Sequence, residues 1–205
     1  MAGYNAAILH GSDYKTTQWS GGTTTELSIS PAGSVYGDRD FHWRISSATV
    51  ELEESDFTSL PDYDRIIMTL KGGIRLSHNK GEWINLPEFT PHAFDGGDET
   101  ASVGKVIDFN LMTRKGVCTG DAAAILLKKD ESCQADESLS GKIGDFETVM
   151  LYCYAGELTV NLESGISYEL SAGDALKLEG TFENVSWACK AGTDVSAVIA
   201  AVQKC

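Results

Sequence analysis

The strongest constraint on the fold of this chain is an internal repeat with an offset of 84 positions. The segment Leu70–Leu86 recurs as Tyr154–Leu170, and Gly72 is matched by Gly156. Each copy reads as a strand, a turn glycine, a second strand with alternating apolar residues and a further turn. A repeat of this length is too long for a solenoid unit and is typical of a duplicated β-barrel.

Alternation of apolar and polar residues elsewhere in the chain predicts many more short strands. The clearest examples are Thr25–Ile29, Trp43–Val50, Ile66–Leu70 and Leu158–Leu162. We therefore predict an all-β fold of two jelly-roll barrels. The N-terminal barrel is expected at residues 1–118, and the C-terminal barrel with its linker at residues 119–205.

Two segments near the junction of the repeats have less regular patterns. Gly120–Lys129 contains strong helix formers, but it fits a strand leading out of a loop equally well. The polar stretch Lys128–Gly141 lies between the two copies and is interpreted as linker.

The charge of the chain limits its partners. Its 205 residues include 30 acidic and 16 basic side chains, which gives a net charge of -14. Nucleic acids and anionic membrane surfaces need a concentrated basic face, so neither is an expected partner. A small anion is still a possible ligand, because one or two arginines in a site that excludes water can outweigh a distant negative field.

Targeting signals and metal-binding motifs are not evident. Residues 1–10 lack a basic stretch and an apolar core, and no segment approaches the roughly 18 apolar residues of a membrane helix, so we expect a cytoplasmic protein. The five cysteines form no Cys-x-x-Cys pair and are interpreted as free thiols. The four histidines are His10, His42, His78 and His92. No two of them have ligand spacing, so we expect neither a metal nor another cofactor.

Arg44 is a polar residue inside an otherwise apolar strand, where a buried charge needs a partner. Strand alternation places Arg44, Ser46, Ala48 and Val50 on one face of Trp43–Val50. The small residues beside the guanidinium leave room for a ligand carboxylate. The alternative is a structural arginine clamped to a carboxylate such as Glu26, Asp64 or Asp108, and the sequence leaves both interpretations open.

Two more strands carry candidate binding residues. Glu26 shares a polar face with Thr24 and Ser28, and this face could meet either ligand or solvent; exposure is the commoner outcome for a strand glutamate. Asp108, Asn110 and Met112 share a face that we expect to be lumenal, with Asn110 suited to an amide or formamide group. Local turn bonding by Asp108 and Asn110 is the alternative.

His92 and Phe94 are candidates at the mouth of the barrel. The imidazole could supply a hydrogen-bond donor and the phenyl ring an apolar wall. A lone histidine is weak support for a site, and the sequence offers no Ser-His-Asp or Cys-His arrangement for nucleophilic catalysis.

Together these motifs resemble the HutD/Ves family of bicupins. The resemblance rests on Trp19-x-Gly-Gly-x-Thr-x-Glu26, Phe41-x-Trp-Arg44, Asp64-Arg65, Phe94-x-Gly96 and Asp108-Phe-Asn-Leu-Met112. The second repeat is similar to a cupin barrel only in its general pattern. The resemblance implies a pocket in the N-terminal barrel, lined by Glu26, Arg44, Ser46, Arg65, Asp108 and Asn110. HutD proteins are associated with regulation of histidine utilisation through a bound intermediate such as formylglutamate, and Ves proteins with cold and stress responses.

Three hypotheses follow. The leading one is a metal-free bicupin that binds a small carboxylated metabolite, with Arg44 holding the carboxylate and Phe94 and Trp43 forming the wall. The second is a metal-independent isomerase or lyase that uses Glu26, His92 or Asp108 as acid or base. The third is an interaction protein whose polar residues only stabilise the barrel. Exposed barrel edges also make a homodimer a possible assembly.

Overall fold

The structure is a computed structural model that describes residues 3–162, 164–182 and 187–204. These residues form nineteen strands and four short 3-10 helices, with no α-helix among them. The first strands in chain order are β1 (Tyr4–Leu9), β2 (Lys15–Trp19), β3 (Gly22–Ser30), β4 (Trp43–Val50), β5 (Glu54–Asp56), β6 (Tyr63–Lys71), β7 (Ile74–His78), β8 (Ile84–Leu86), β9 (His92–Asp95), β10 (Thr100–Val103) and β11 (Val106–Arg114). The remaining strands are β12 (Cys118–Leu127), β13 (Ser132–Gln134), β14 (Thr148–Ala155), β15 (Glu157–Leu162), β16 (Ser167–Ser171), β17 (Ala175–Gly180), β18 (Trp187–Ala191) and β19 (Val195–Lys204). The 3-10 helices are Gly11–Asp13, Tyr36–Asp38, Ala135–Ser138 and Ile143–Asp145.

The chain divides into two compact units. The N-terminal unit is Tyr14–Thr119, and the C-terminal unit contains the chain up to Asp13 together with Gly120–Lys204. From the sequence, residues 1–13 were expected in the N-terminal barrel. Residues 3–13 belong to the other unit, because β1 pairs antiparallel with β17 over six residues.

The N-terminal unit consists of two facing antiparallel sheets. The larger has the strand order β2-β3-β4-β11-β6-β9, and the smaller has the order β5-β10-β7-β8. Apolar side chains from both sheets meet in one core cluster: Val50, Ile67, Ile74, Leu76, Leu86 and Val106. Alternate residues of each strand therefore point into a jelly-roll interior.

The C-terminal unit repeats this plan with sheets β1-β17-β14-β19-β12 and β13-β18-β15-β16. Its core includes the fully buried rings of Trp187 and Phe182. Of the two alternatives for Gly120–Lys129, the strand is correct, because β12 covers most of that segment. Part of the stretch interpreted as linker is also structured, since β13 pairs with β18.

The repeat places two equivalent hairpins in the two units. Gly72 separates β6 from β7, Gly156 separates β14 from β15, and their φ angles are 82° and 92°. A Cβ atom at either position would collide with a backbone carbonyl, that of Lys105 or that of Asp194. Glycine is therefore required at both turns, and the predicted duplication is confirmed.

The four cysteines that the structure describes form no disulfide with one another. Cys205 lies outside the described residues. Cys133 and Cys189 occupy directly opposed positions on β13 and β18.

Candidate functional site

A cavity of about 470 Å³ opens into the N-terminal unit. Its lining residues are Thr17, Trp19, Ser20, Thr24, Tyr36, Arg44, Ser46, Ala48, Val50, Ser55, Asp56, Phe57, Thr58, Arg65, Asp108, Asn110 and Met112. Strands β4 and β11 pair in register through the middle of the larger sheet and supply alternate residues to this lining. The face of β11 that was predicted to be lumenal lines the cavity, and so does the face of β4 that carries Arg44, whose direction the sequence left open. Trp43, which was predicted to form part of the wall, is not among the lining residues because it alternates with them along β4.

Arg44 both lines the cavity and forms an ion pair. Its Nε donates to Glu26 Oε2 at 2.7 Å, and its Nη1 donates to Ser46 Oγ at 3.1 Å. The Arg44 guanidinium also lies 4.6 Å from the ring centroid of Tyr36. Arg44 thus fits both interpretations: it lines the cavity, and it is also a structural arginine whose charge is balanced by Glu26.

Glu26 is mostly buried, with 18% of its side chain exposed, although exposure is the commoner outcome for a strand glutamate. It does not line the main cavity. It lines a second space of about 190 Å³, which shares Thr17, Tyr36 and Arg44 with the main cavity. Glu26 therefore contributes to the site by holding Arg44 in place.

Arg65 is a second buried cation in the cavity, and its charge is not balanced by an ion pair among the described residues. The guanidinium lies beside the rings of Phe57 and Phe94, at 5.0 and 5.1 Å from their centroids, and the two rings also contact each other with centroids 6.0 Å apart. Its Nε and Nη2 both donate to Asn110 Oδ1 at 3.3 Å. Burial lowers the pKa of Arg65 to about 10, although the nearby charge of Asp108 acts to raise it. The side chain therefore stays cationic at neutral pH.

Asp108 is a buried carboxylic acid in the same cavity, with 5% of the residue exposed. Its strand position opposite Ala48 directs it to the lumenal face. Among the described residues it makes no ion pair with Arg44 or Arg65. Burial raises the pKa of Asp108 to about 7, and the nearby charge of Arg65 opposes this only in part.

His92 and Phe94 do not line the cavity, although both were candidates from the sequence. Phe94 packs under the guanidinium of Arg65. His92 Nε2 lies 2.9 Å from His78 Nε2, and His78 Nδ1 lies 2.8 Å from Thr100 Oγ1. Burial and the neighbouring His78 lower the pKa of His92. This histidine pair was missed because its members lie on separate strands with no motif spacing.

Several lining residues could not be identified as a set from the sequence. Tyr36 lies in the short 3-10 helix Tyr36–Asp38, where no strand alternation indicates its direction. Ser55 and Asp56 belong to the three-residue strand β5, which is too short to show a pattern. Trp19 belongs to a glycine-containing motif, but nothing in the sequence predicts that its side chain lines a cavity.

The arrangement is suited to binding a small polar ligand, since the volume fits a metabolite and cationic, acidic and amide groups converge on it. Among the described residues, no three His, Cys, Asp or Glu side chains converge as a metal site. Nor does that part of the chain contain a helix with the length and hydropathy needed to cross a bilayer.

Solved structures with the same architecture define the class of protein. A conserved protein of unknown function from Pseudomonas aeruginosa superposes with a TM-score of 0.81 at 24% identity, covering 97% of this chain and 99% of that one. HutD from Pseudomonas fluorescens gives a TM-score of 0.73 at 23% identity, with 98% and 100% coverage. The pirin YhhW from Escherichia coli gives 0.66 at 11% identity, with 96% and 97% coverage. These likenesses, together with the duplicated jelly roll, define a bicupin.

Within this class the chain belongs to the HutD family, whose sequence model matches residues 11–197. It also aligns with Protein Ves from Escherichia fergusonii at 32% identity over 102 residues, which is 47% of this chain and 51% of that protein. Protein Ves from Citrobacter koseri aligns to the same extent. The chain matches about half the length of these curated relatives.

Proposed function

We propose that this bicupin binds a small carboxylated metabolite in the N-terminal cavity and acts as a metabolite-responsive regulator, in histidine utilisation or a stress response. The observation that carries the proposal is the buried guanidinium of Arg65, which lines the cavity without an ion-pair partner among the described residues. A carboxylate ligand would supply the missing negative charge through two parallel hydrogen bonds.

The geometry favours Arg65 over Arg44 as the main carboxylate contact. Arg44 already donates to Glu26 at 2.7 Å, whereas both bonds from Arg65 to the neutral Asn110 are 3.3 Å long. Hydrogen bonds from an arginine to a carboxylate are ordinarily about 2.7–2.9 Å long, so a carboxylate can improve on the existing partner of Arg65. Arg44 then offers its remaining N–H groups to a second polar group of the ligand.

The lining also suits the other end of such a ligand. Asn110 offers both a donor and an acceptor, and Ser46 offers a hydroxyl group on the neighbouring strand. Contact with the rings of Phe57 and Phe94 restricts the Arg65 side chain, which reduces the entropy lost when it binds a ligand. Formylglutamate has the carboxylates and the formamide group that this set of donors and acceptors fits.

Calorimetric titration with formylglutamate, formiminoglutamate, urocanate and formate tests the proposal. Arg65→Ala is expected to weaken binding of the best ligand by roughly 30- to 1,000-fold, the usual effect of removing a buried charge-assisted contact. Arg75→Ala is the matched control, because Arg75 lies on strand β7, is exposed and contacts Trp83 away from the cavity. Absence of heat from all four compounds, or unchanged affinity in Arg65→Ala, would contradict the proposal.

A metal-independent isomerase or lyase is the second candidate, and one observation favours it. The pKa of Asp108 near 7 is suited to a general acid or base at neutral pH. Of the other acid–base candidates, Glu26 is paired with Arg44 and His92 lies outside the cavity lining. NMR spectra of each bound compound, recorded over hours with wild type and Asp108→Asn, would show turnover only if the protein is an enzyme.

A further inference from the structure

Asp108 is a buried carboxyl group that must share its cavity with any anionic ligand. The charged and titratable groups around the cavity are Glu26 on β3, Arg44 on β4, Asp56 on β5, Arg65 on β6, and Tyr36 in the 3-10 helix before β4. Asp56 is exposed, so its charge is solvated. The buried interior therefore contains two cations and two carboxyl groups.

Arg44 and Glu26 neutralise each other directly, because they form an ion pair at 2.7 Å. Among the described residues, Arg65 is then the only buried cation of the cavity that can compensate either an ionised Asp108 or a ligand carboxylate. Two carboxylates beside one guanidinium in a site with little water repel each other, as in paired carboxyl groups that share one proton.

We propose that the cavity takes up its carboxylate ligand together with one proton, which is held on Asp108. This inference rests on the proposed function. The protonated carboxyl group turns from an acceptor into an O–H donor, and such a donor forms a short, strong bond with a ligand carboxylate. Asp108 is thereby a specificity residue, because the cavity binds an anionic ligand only when the Asp108 carboxyl group is protonated and neutral.

The direction of the pH dependence follows from the raised pKa of Asp108. Below about pH 7 the carboxyl group of the free protein is already protonated, so affinity changes little with pH. Above that pH the free protein must gain a proton when the ligand binds. Affinity is then expected to fall by up to about tenfold per pH unit, until the pH passes the still higher pKa of Asp108 in the complex.

The test is calorimetry with formylglutamate from about pH 6 to about pH 9, using HEPES and Tris at each shared pH. These buffers differ in ionisation enthalpy, so wild type should show proton uptake approaching one per ligand near pH 8. Asp108→Asn should bind with a pH-independent affinity and no proton uptake. Asp64→Asn is the control, because Asp64 is an exposed carboxylate next to Arg65 on the same strand, and it should keep the wild-type slope.

The outcomes separate this inference from the proposed function. Binding by wild type without proton uptake, or a full pH slope in Asp108→Asn, would overturn the proton linkage and leave carboxylate binding intact. Absence of binding by wild type at every pH would contradict both. If Asp108→Asn does not fold, absence of proton uptake by wild type in the two buffers would still overturn the proposal.

Discussion

At the scale of single residues, burial destabilises the ionised carboxylate of Asp108, and the charge of Arg65 and a backbone hydrogen bond from Ala48 offset this only in part. The pKa of Asp108 rises from 3.8 to about 7 in the folded state because burial penalises the charged form. The folded protein therefore binds a proton more tightly than the unfolded chain does. The resulting contribution to stability is fully present below about pH 4, is lost as the pH rises towards about 7, and stays absent above that pH.

Asp108→Asn should consequently stabilise the ligand-free protein at alkaline pH. We expect its free energy of unfolding near pH 8 to exceed that of wild type by up to the order of 3 kcal/mol, with the difference shrinking towards about pH 4. Urea denaturation at several pH values measures this difference, with Asp64→Asn as the exposed control. A variant that is equally destabilised at every pH would show that Asp108 contributes a structural contact rather than a buried charge.

In the candidate site, the direction of a side chain was easier to predict from the sequence than its cross-strand partner. Alternation along β11 predicted that Asp108 and Asn110 face the interior, whereas the direction of Arg44 on β4 stayed open and its place in the same pocket followed only from the family resemblance. The sequence left three candidate partners for Arg44, because the register between β3 and β4, with its shift between Glu26 and Ser28, decides which β3 residue lies beside Arg44. Cross-strand register depends on residues distant in the sequence, whereas the direction of a side chain depends on local alternation.

At the scale of elements, the least predictable strand is β1. Residues Tyr4–Leu9 contain no feature that identifies a partner, so the sequence suggested only that they join the barrel that follows them. In the structure β1 pairs with β17, and His10 Nδ1 lies 2.7 Å from Asp174 Oδ1. The central strands were predictable because the two hairpins of the repeat carry glycines at equivalent turns.

Deleting residues 1–13 should therefore destabilise the C-terminal unit and spare the cavity. The deletion leaves β17 as an edge strand and removes the packing of Tyr4 and Ile8 on the C-terminal core, a loss of roughly 2–4 kcal/mol. Hydrogen exchange should report loss of protection in β17 and β14, while calorimetric affinity for the carboxylate stays within about twofold. Asn5→Ala, at an exposed position of β1, is the control. A large loss of affinity in the deletion variant would show that β1 also supports the N-terminal unit.

At the scale of the whole molecule, the charges of the surface and of the cavity act in opposite directions. The chain has a net charge of -14, yet the proposed ligand is an anion that must reach Arg65. The negative surface repels such a ligand over a distance set by the Debye length, about 30 Å at 10 mM salt and about 8 Å at 150 mM. Contacts of Arg65 and Asp108 are screened much less, because both side chains are buried.

Association of the carboxylate should therefore become faster as salt is added. We expect the association rate constant to rise roughly two- to fivefold between about 10 and 150 mM salt, while the dissociation rate constant changes little. Stopped-flow measurements of the intrinsic fluorescence of Trp19, which lines the cavity, follow both constants. An association rate that falls with salt would mean that the field of Arg44 and Arg65 extends beyond the cavity mouth and overcomes the surface charge. A salt-dependent dissociation rate would instead mean that the bound carboxylate remains in contact with solvent, which is incompatible with its burial beside Asp108.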